Sequence, residues 1–335
     1  MAEQREYGGL DYFRILCAIF VIAIHTAPLA TINKEIDFAF TYILGRIAVP
    51  FFFMVTGFFF FQKISNDRQK NVEFLKSFIL KITKLYLFSI LLYIPVNIYT
   101  GYFTHGFRCI NLVKDILFNG TFYHLWYFPS VILGISISFI LYRTFSTKVI
   151  YTIVSILFLI GLFGDSYFGI SKSFVAINHF YHFIFAVFDY TRNGLFFAPI
   201  FIMMGALIAK DKEQLISFKK SMSGFLLSAF FMIGEGMLLH TLNLQRHNSM
   251  YFFLIPSMFF LFQLLLHLKI SNNQKMRSIS LWVYIIHPLC IILIRGFGKA
   301  THTTALVVDH SLIHFLAVTV LSFAISIIIE RKELL

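Results

Sequence analysis

Residues 10–29 read LDYFRILCAIFVIAIHTAPL, an apolar run whose charged or protonatable members are Asp11, Arg14 and His25. Its length matches the roughly 20 residues that a helix needs to cross the hydrocarbon core of a bilayer. The run is too long for a leader peptide, carries Arg14 and His25, and is followed by no small-residue cleavage site, so it reads as a retained span. Nine more apolar runs follow: Phe38–Phe61, Ser77–Tyr99, Phe122–Tyr142, Val149–Phe163, Gly194–Ala209, Met222–His240, Met250–Leu268, Leu281–Arg295 and Ser311–Ile329. Val149–Phe163 and Leu281–Arg295 are the shortest of the ten.

Composition agrees with the runs. Of 335 residues, 58% are hydrophobic and only 13% charged, with 44 phenylalanines. A soluble fold carries about 25% charged residues, so lipid is the natural solvent, and a disordered chain is excluded. No stretch is polar and long enough for a separate soluble domain. The expectation is a single transmembrane domain over residues 1–335, an all-α bundle of about ten helices. Lys and Arg set its orientation. With the N-terminus inside, 18 fall on the inner side, among them Arg5, Lys81, Lys84, Lys212, Arg277 and Arg331, and 7 on the outer side. Both termini are therefore expected to be cytoplasmic. The net charge of +12 belongs to this bias rather than to nucleic-acid binding. Cys17, Cys109 and Cys290 are too scattered for a disulfide framework or a zinc site. No internal repeat is visible.

Charges inside spans are expensive, by about 2.5–3.5 kcal/mol on the lenient scale, so each needs a partner or a cavity. Arg14, Arg46 and Arg295 lie within spans. Arg295 ends its span and Arg14 lies about one turn inside the first, so both can snorkel to the headgroups. Arg14 and His25 are eleven residues apart, about 1100° of helix and within about 20° of three whole turns, so they share one face about 16 Å apart. Asp11, three residues before Arg14, can pair with it. An arginine suits a phosphate or carboxylate, and a histidine suits proton transfer or nucleophile activation; satisfied bundle contacts explain the pair equally well. Glu235 has no charge within four residues, so its partner comes from another helix, as a substrate ligand or as a neutral acid bridging helices. Pro288 after His287 frees a backbone carbonyl that a cavity can use, or simply kinks its helix. Arg46 lies four residues before Pro50 and leads into Gly57, which permits close helix approach. Of twelve histidines, eight (His105, His124, His179, His182, His240, His247, His302, His310) fall at outer ends or connections. His179 and His182 lack acidic or cysteine partners at metal-ligand spacing, so no metal is expected. The aromatic stretch Phe174–Tyr190 either lies along the interface or re-enters the membrane.

At these residues the chain resembles a known family. Leu10-Asp11-Tyr12-Phe13-Arg14 through His25, the Pro50–Phe60 segment and Tyr284-Ile285-Ile286-His287-Pro288 are similar to the membrane acyltransferase family 3. Within it, six islands resemble the membrane half of VanT-type membrane-bound serine racemases of D-Ser-type vancomycin resistance. They are Ala23–Thr26, Tyr123–Pro129, Gly164–Gly169, Asp189–Phe197, Arg246–Tyr251 and Ser280–Tyr284. Those proteins continue into a cytoplasmic pyridoxal-phosphate racemase domain, whereas this sequence stops at Leu335. Racemisation and pyridoxal phosphate are therefore not expected of this stretch, and no other cofactor is.

The resemblance implies two functions. In one, the chain is a multi-pass module of the bacterial plasma membrane that admits or delivers L-serine, or another small amino acid, to a racemase domain in a longer chain or partner; an oligomer is left open. His25 and Arg14 would act on it, and Asp11, Arg46, His124, Trp126, Asp189, Arg192, Glu235 and His287 would bind it. In the other, the chain is an O-acyltransferase. Cytoplasmic acyl-CoA meets Arg14 through its phosphates, with Lys81 and Lys84 nearby, and His25 acts as general base, or accepts the acyl group, for an outer-facing hydroxyl.

Overall fold

A computed structural model describes residues 7–104, 108–211 and 215–332. Arg5 and Lys212 of the orientation count and His105 of the histidine set lie outside the described residues. Eleven helices of 13 residues or more run through the rest: α1 (Gly8–Thr26), α2 (Ala48–Phe61), α3 (Arg68–Tyr99), α4 (Tyr127–Thr144), α5 (Thr147–Gly164), α6 (Val175–Val187), α7 (Ala198–Lys210), α8 (Phe218–Thr241), α9 (Leu254–Leu266), α10 (Gln274–Ala300) and α11 (Ser311–Arg331). No strand occurs among the described residues. Among the described residues, eight stretches are long and apolar enough to cross a membrane: α1, Lys34–Phe61 ending in α2, α3, α4, α5, α8, α10 and α11. The chain is an all-helical, multi-pass membrane protein.

The helices differ from the apolar runs in an instructive way. The shortest runs, Val149–Phe163 and Leu281–Arg295, sit in helices of 18 and 27 residues. The runs Gly194–Ala209 and Met250–Leu268 instead yield helices of only 13 residues each. At 1.5 Å per residue these are about 20 Å long, short of the roughly 30 Å core. In each case the chain enters the helix through a non-helical stretch. Before α7, Asn193 Oδ1 accepts from the Leu195 and Phe196 N–H groups at 2.9 and 3.0 Å. Before α9, Asp165 Oδ1 accepts from the Ser249 and Met250 N–H groups at 2.8 and 3.0 Å. Such backbone is tolerated at membrane depth only where its polar groups are satisfied within the protein. Hydropathy registers the apolar side chains but not these bonds.

The chain forms two compact units. The first comprises residues 1–52, 215–238 and 252–335, and the second residues 53–214 and 239–251. In the first, α1 packs against α10 and α11, and α10 against α11. The buried face of α11 reads Ser311, His314, Val318, Ser322, Ser326. This three-to-four spacing of mostly small side chains lets backbones approach without a lipid-driven hydrophobic force. At the start of α1, a Cβ on Gly8 would meet the Ile270 carbonyl oxygen at 2.2 Å. Only hydrogen fits there, and the Gly8 N–H donates to that same carbonyl at 3.0 Å.

In the second unit α7 is the centre, buried at every position from Ala198 to Ala209. Two glycines make this possible. A Cβ on Gly57 would lie 1.9 Å from the Ile202 carbonyl oxygen, and one on Gly205 would lie 2.1 Å from that of Met54. The close approach expected of Gly57 is thus reciprocal, glycine on each helix facing backbone on the other. Phe53, Phe158, Phe197 and Phe201 fill the surrounding space edge to face and stacked, the geometries that aromatic quadrupoles favour. α6 docks through Tyr181 and Ile184, packed with Phe196.

Candidate functional site

The ten candidate residues divide between the units. Asp11, Arg14, His25, Arg46, Glu235 and His287 lie in the first, and His124, Trp126, Asp189 and Arg192 in the second.

In the first unit, α1 stops where His25 is needed. Pro28 follows Ala27, and a residue before proline is disfavoured in the helical region. Ala27 turns to φ 48°, and its N–H closes the helix on the Ala23 carbonyl. His25 is thereby in the last turn, where the helix dipole favours a cation. α10 runs alongside in the same direction, because the two helices meet at both ends. At one end Asp11 is fully buried. Its Oδ1 accepts from Arg277 Nε at 2.7 Å, and its Oδ2 from Arg277 Nη2 and the Asn273 N–H, each at 2.9 Å. Arg14 Nε stands 3.8 Å from Asp11 Oδ1. Asp11 does pair with Arg14, but its hydrogen-bonded, forked partner is Arg277, counted in the sequence only as an inner-side charge. At the other end the His25 and His287 rings stack, 5.3 Å between centroids and 21° between planes. The two helices form a ladder with one rung of guanidiniums on a carboxylate and one of imidazoles. A sequence signal for the second rail existed: Arg277 precedes His287 by ten residues, much as Arg14 precedes His25 by eleven.

Arg46 lies in a 3-10 turn (Leu44–Ile47) after a π-turn (Phe38–Ile43), with its guanidinium 5.2 Å from the Tyr42 ring centroid. Pro50 sits in the first turn of α2, where a missing N–H is harmless. Glu235 is half-buried rather than buried. Its Oε1 accepts from the Phe252 N–H at 2.6 Å and its Oε2 from the Phe253 N–H at 2.9 Å. The partner sought on another helix is the exposed backbone at the start of α9. The carbonyl freed by Pro288 is that of Tyr284, and it is engaged by His287 itself: Nδ1 lies 2.9 Å from it and 3.1 Å from the Val283 carbonyl. Arg295 is exposed, as snorkelling requires.

In the second unit, four of the six sequence islands converge. Trp126 precedes α4, and the Arg192 guanidinium stacks 4.6 Å from its ring and 4.6 Å from that of Tyr190. Arg246 lies over Phe185 at 3.7 Å and over Tyr190 at 5.8 Å, while its Nη1 donates to the Asp189 carbonyl at 2.8 Å. Two cations thus alternate with three rings, each contact worth about 0.5–2 kcal/mol. Asp165 is the hub beneath. It accepts from Ser249 and Met250, and from Ser166 Oγ at 2.9 Å, and its Oδ2 is 3.6 Å from His247 Nδ1. Ser249 Oγ lies 2.7 Å from that same Nδ1. Asp, His and Ser are therefore neighbours without forming a relay, which requires the two partners on opposite ring nitrogens. His124 is buried in a cage of Tyr93, Phe122 and Tyr123. The Asp189 side chain is exposed. Partial burial and then Asp115 push its carboxyl up, opposed by Lys114 and Arg246. Among the described residues, no three His, Cys, Asp or Glu side chains are placed to hold a metal.

The sequence profile described as an acyltransferase domain, Acyl_transf_3, matches residues 7–331, which includes both rungs of the ladder. This chain belongs to the membrane acyltransferase family 3. Among curated proteins, the chain is 40% identical over 333 residues to an amino-acid racemase of Enterococcus faecalis. It is 36% identical over 328 residues to a second one from that organism, and 34% identical over 334 residues to a serine/alanine racemase of Enterococcus gallinarum. These alignments cover 96–98% of this chain but 46% of each relative, so the chain spans about half the length of the curated relatives it matches. The resemblance to membrane-bound serine racemases read from the six islands is borne out. No solved structure matches the chain.

Proposed function

We propose that this chain is the membrane module that takes up or delivers L-serine, or an amino acid of similar size, for conversion to its D-enantiomer in D-Ser-type vancomycin resistance. It would do so on an acyltransferase family 3 fold in a bacterial plasma membrane, with both termini cytoplasmic and the racemase domain in a longer chain or a partner. The observation that carries the reading is the alignment of nearly the whole chain with just under half of proteins named for racemising amino acids, one of them serine and alanine. The geometry supports it in three ways. α7 and α9 begin after satisfied non-helical stretches, the arrangement that places substrate sites at membrane depth in secondary transporters. Arg14 and Arg277 bring two guanidiniums to one carboxylate, and the guanidinium fork is a group suited to a substrate carboxylate. The His25–His287 stack supplies two imidazoles, groups that donate and accept hydrogen bonds and protons. Glu235, in the same unit, accepts from two backbone amides and is the carboxylate candidate for the substrate ammonium. Arg46 belongs to the same intramembrane set, and His124, Trp126, Asp189 and Arg192 form a separate candidate recognition group in the second unit. No cofactor enters this reading.

One observation favours a second reading, acyl transfer. A stacked histidine pair within an acyltransferase fold also suits a general base that takes the proton of an acceptor hydroxyl as it attacks an acyl-CoA thioester. Ligand-dependent unfolding in detergent separates the two. The serine reading expects a saturable rise in unfolding temperature with L-serine and none with acetyl-CoA. A rise with acetyl-CoA alone would contradict it and favour acyl transfer.

A further inference from the structure

Proline at position 288 has no N–H, so the carbonyl of Tyr284, four residues earlier, loses its regular helical donor. Such a carbonyl at membrane depth must be satisfied locally. The ring of His287, the residue just before the proline, does this: its Nδ1 stands 2.9 Å from the Tyr284 carbonyl oxygen and 3.1 Å from that of Val283. Both neighbours are acceptors only, so Nδ1 must carry a proton. In a neutral imidazole the other nitrogen then holds the lone pair. His287 is fully buried, and its ring face lies on that of His25.

We infer that Pro288 is a positioning residue: by withholding one N–H it gives the Tyr284 carbonyl to His287, fixes His287 as the Nδ1–H tautomer, and makes Nε2 the proton-accepting atom of the His25–His287 pair. The site therefore takes a ligand bearing a proton donor, a hydroxyl or an ammonium, and excludes one that offers only acceptors there. The inference rests on the reading of the α1–α10 ladder as the working site and names the second residue of that site, its reactive atom, and the backbone device that sets it.

The test separates acceptance at Nε2 from simple satisfaction of a carbonyl. His287→Asn keeps an N–H donor where Nδ1 stands but has no nitrogen lone pair beyond it. His287→Ala removes both. Pro288→Ala restores an N–H to compete for the Tyr284 carbonyl. The first readout needs no substrate: nitrogen NMR of histidine-labelled chain in lipid, with His287 assigned by its loss in His287→Asn. Wild type is expected to show a protonated Nδ1 and a bare Nε2, and Pro288→Ala a mixture of tautomers. The second readout is L-serine uptake into vesicles. His287→Asn is expected to fold with wild-type thermal stability yet lose uptake by about 100-fold, the lower range for a positioned base. Pro288→Ala should lose about tenfold, because the Val283 carbonyl still holds Nδ1. A protonated Nε2 in wild type, or full uptake by His287→Asn, would overturn the inference. An absence of serine uptake by wild type would overturn the functional reading, and the NMR result would still decide the tautomer lock separately.

Discussion

The two places where charge is concentrated are built on different principles. On α1 and α10, charge meets charge: Asp11 is fully buried and holds Arg277 in a fork with Arg14 beside it. In the second unit, the cations are held mainly by ring faces, Arg192 between Trp126 and Tyr190 and Arg246 over Phe185. Asp11 is the buried member of this cluster, while the Arg277 side chain is 38% exposed; removing Asp11 takes the charge-assisted acceptor from both arginines at once. Removing one face of a cation–π stack loses an attraction and strands nothing. The ladder should therefore be brittle and the stack tolerant.

That contrast can be broken most easily at Asp11. Asp11→Ala should lower the unfolding free energy in detergent by about 2–3 kcal/mol, and a loss under about 1 kcal/mol would mean that the two arginines do not depend on it. Glu235→Gln tests an intermediate case. One of its two acceptor oxygens becomes an NH2 facing a backbone N–H, so destabilisation of about 1–2 kcal/mol is expected, read by the same unfolding curves. Arg192→Lys keeps the charge but gives up the planar stack, and should cost only about 0.5–1 kcal/mol; a larger loss would place Arg192 with the ladder. The smallest effect concerns Asp189. Its carboxyl is raised in the folded chain, chiefly by partial burial and then by Asp115. The associated stability is present below the ordinary carboxylate pKa and is lost as pH rises through the folded value. Asp189→Asn should flatten unfolding temperature against pH in that acid window, and an unchanged slope would remove Asp189 from the account.

What could be read in the sequence follows the same division. The Arg14–His25 face follows from helical period, and the family was visible in ordered islands. Arg277 was counted as a topological charge; its ten-residue offset from His287 was the one local hint, and the pairing with Asp11 across 266 positions leaves no periodic trace. The hub at Asp165 and the stack on Tyr190 join segments near positions 126, 165, 190 and 246, each ordinary alone; their convergence is a product of the fold. The shortening of α7 and α9 was hidden for another reason. Hydropathy scores Leu195, Phe196, Tyr251 and Phe252 as spanning residues whether or not their backbone is helical. Glu235 shows the complementary case: a carboxylate in an apolar run points to a partner on another element, and among its structural partners are two backbone amides, which every sequence possesses and none displays.

The central claim is that the α1–α10 ladder moves a small amino acid. It is tested most directly by uptake of labelled L-serine into proteoliposomes containing only this chain, with no acyl-CoA present, comparing wild type with His25→Ala and Arg14→Ala. Saturable uptake by wild type, reduced at least about 100-fold in His25→Ala and strongly in Arg14→Ala, is the predicted result. Uptake no greater than that of empty liposomes by folded wild-type protein, or full uptake by both variants, would contradict it.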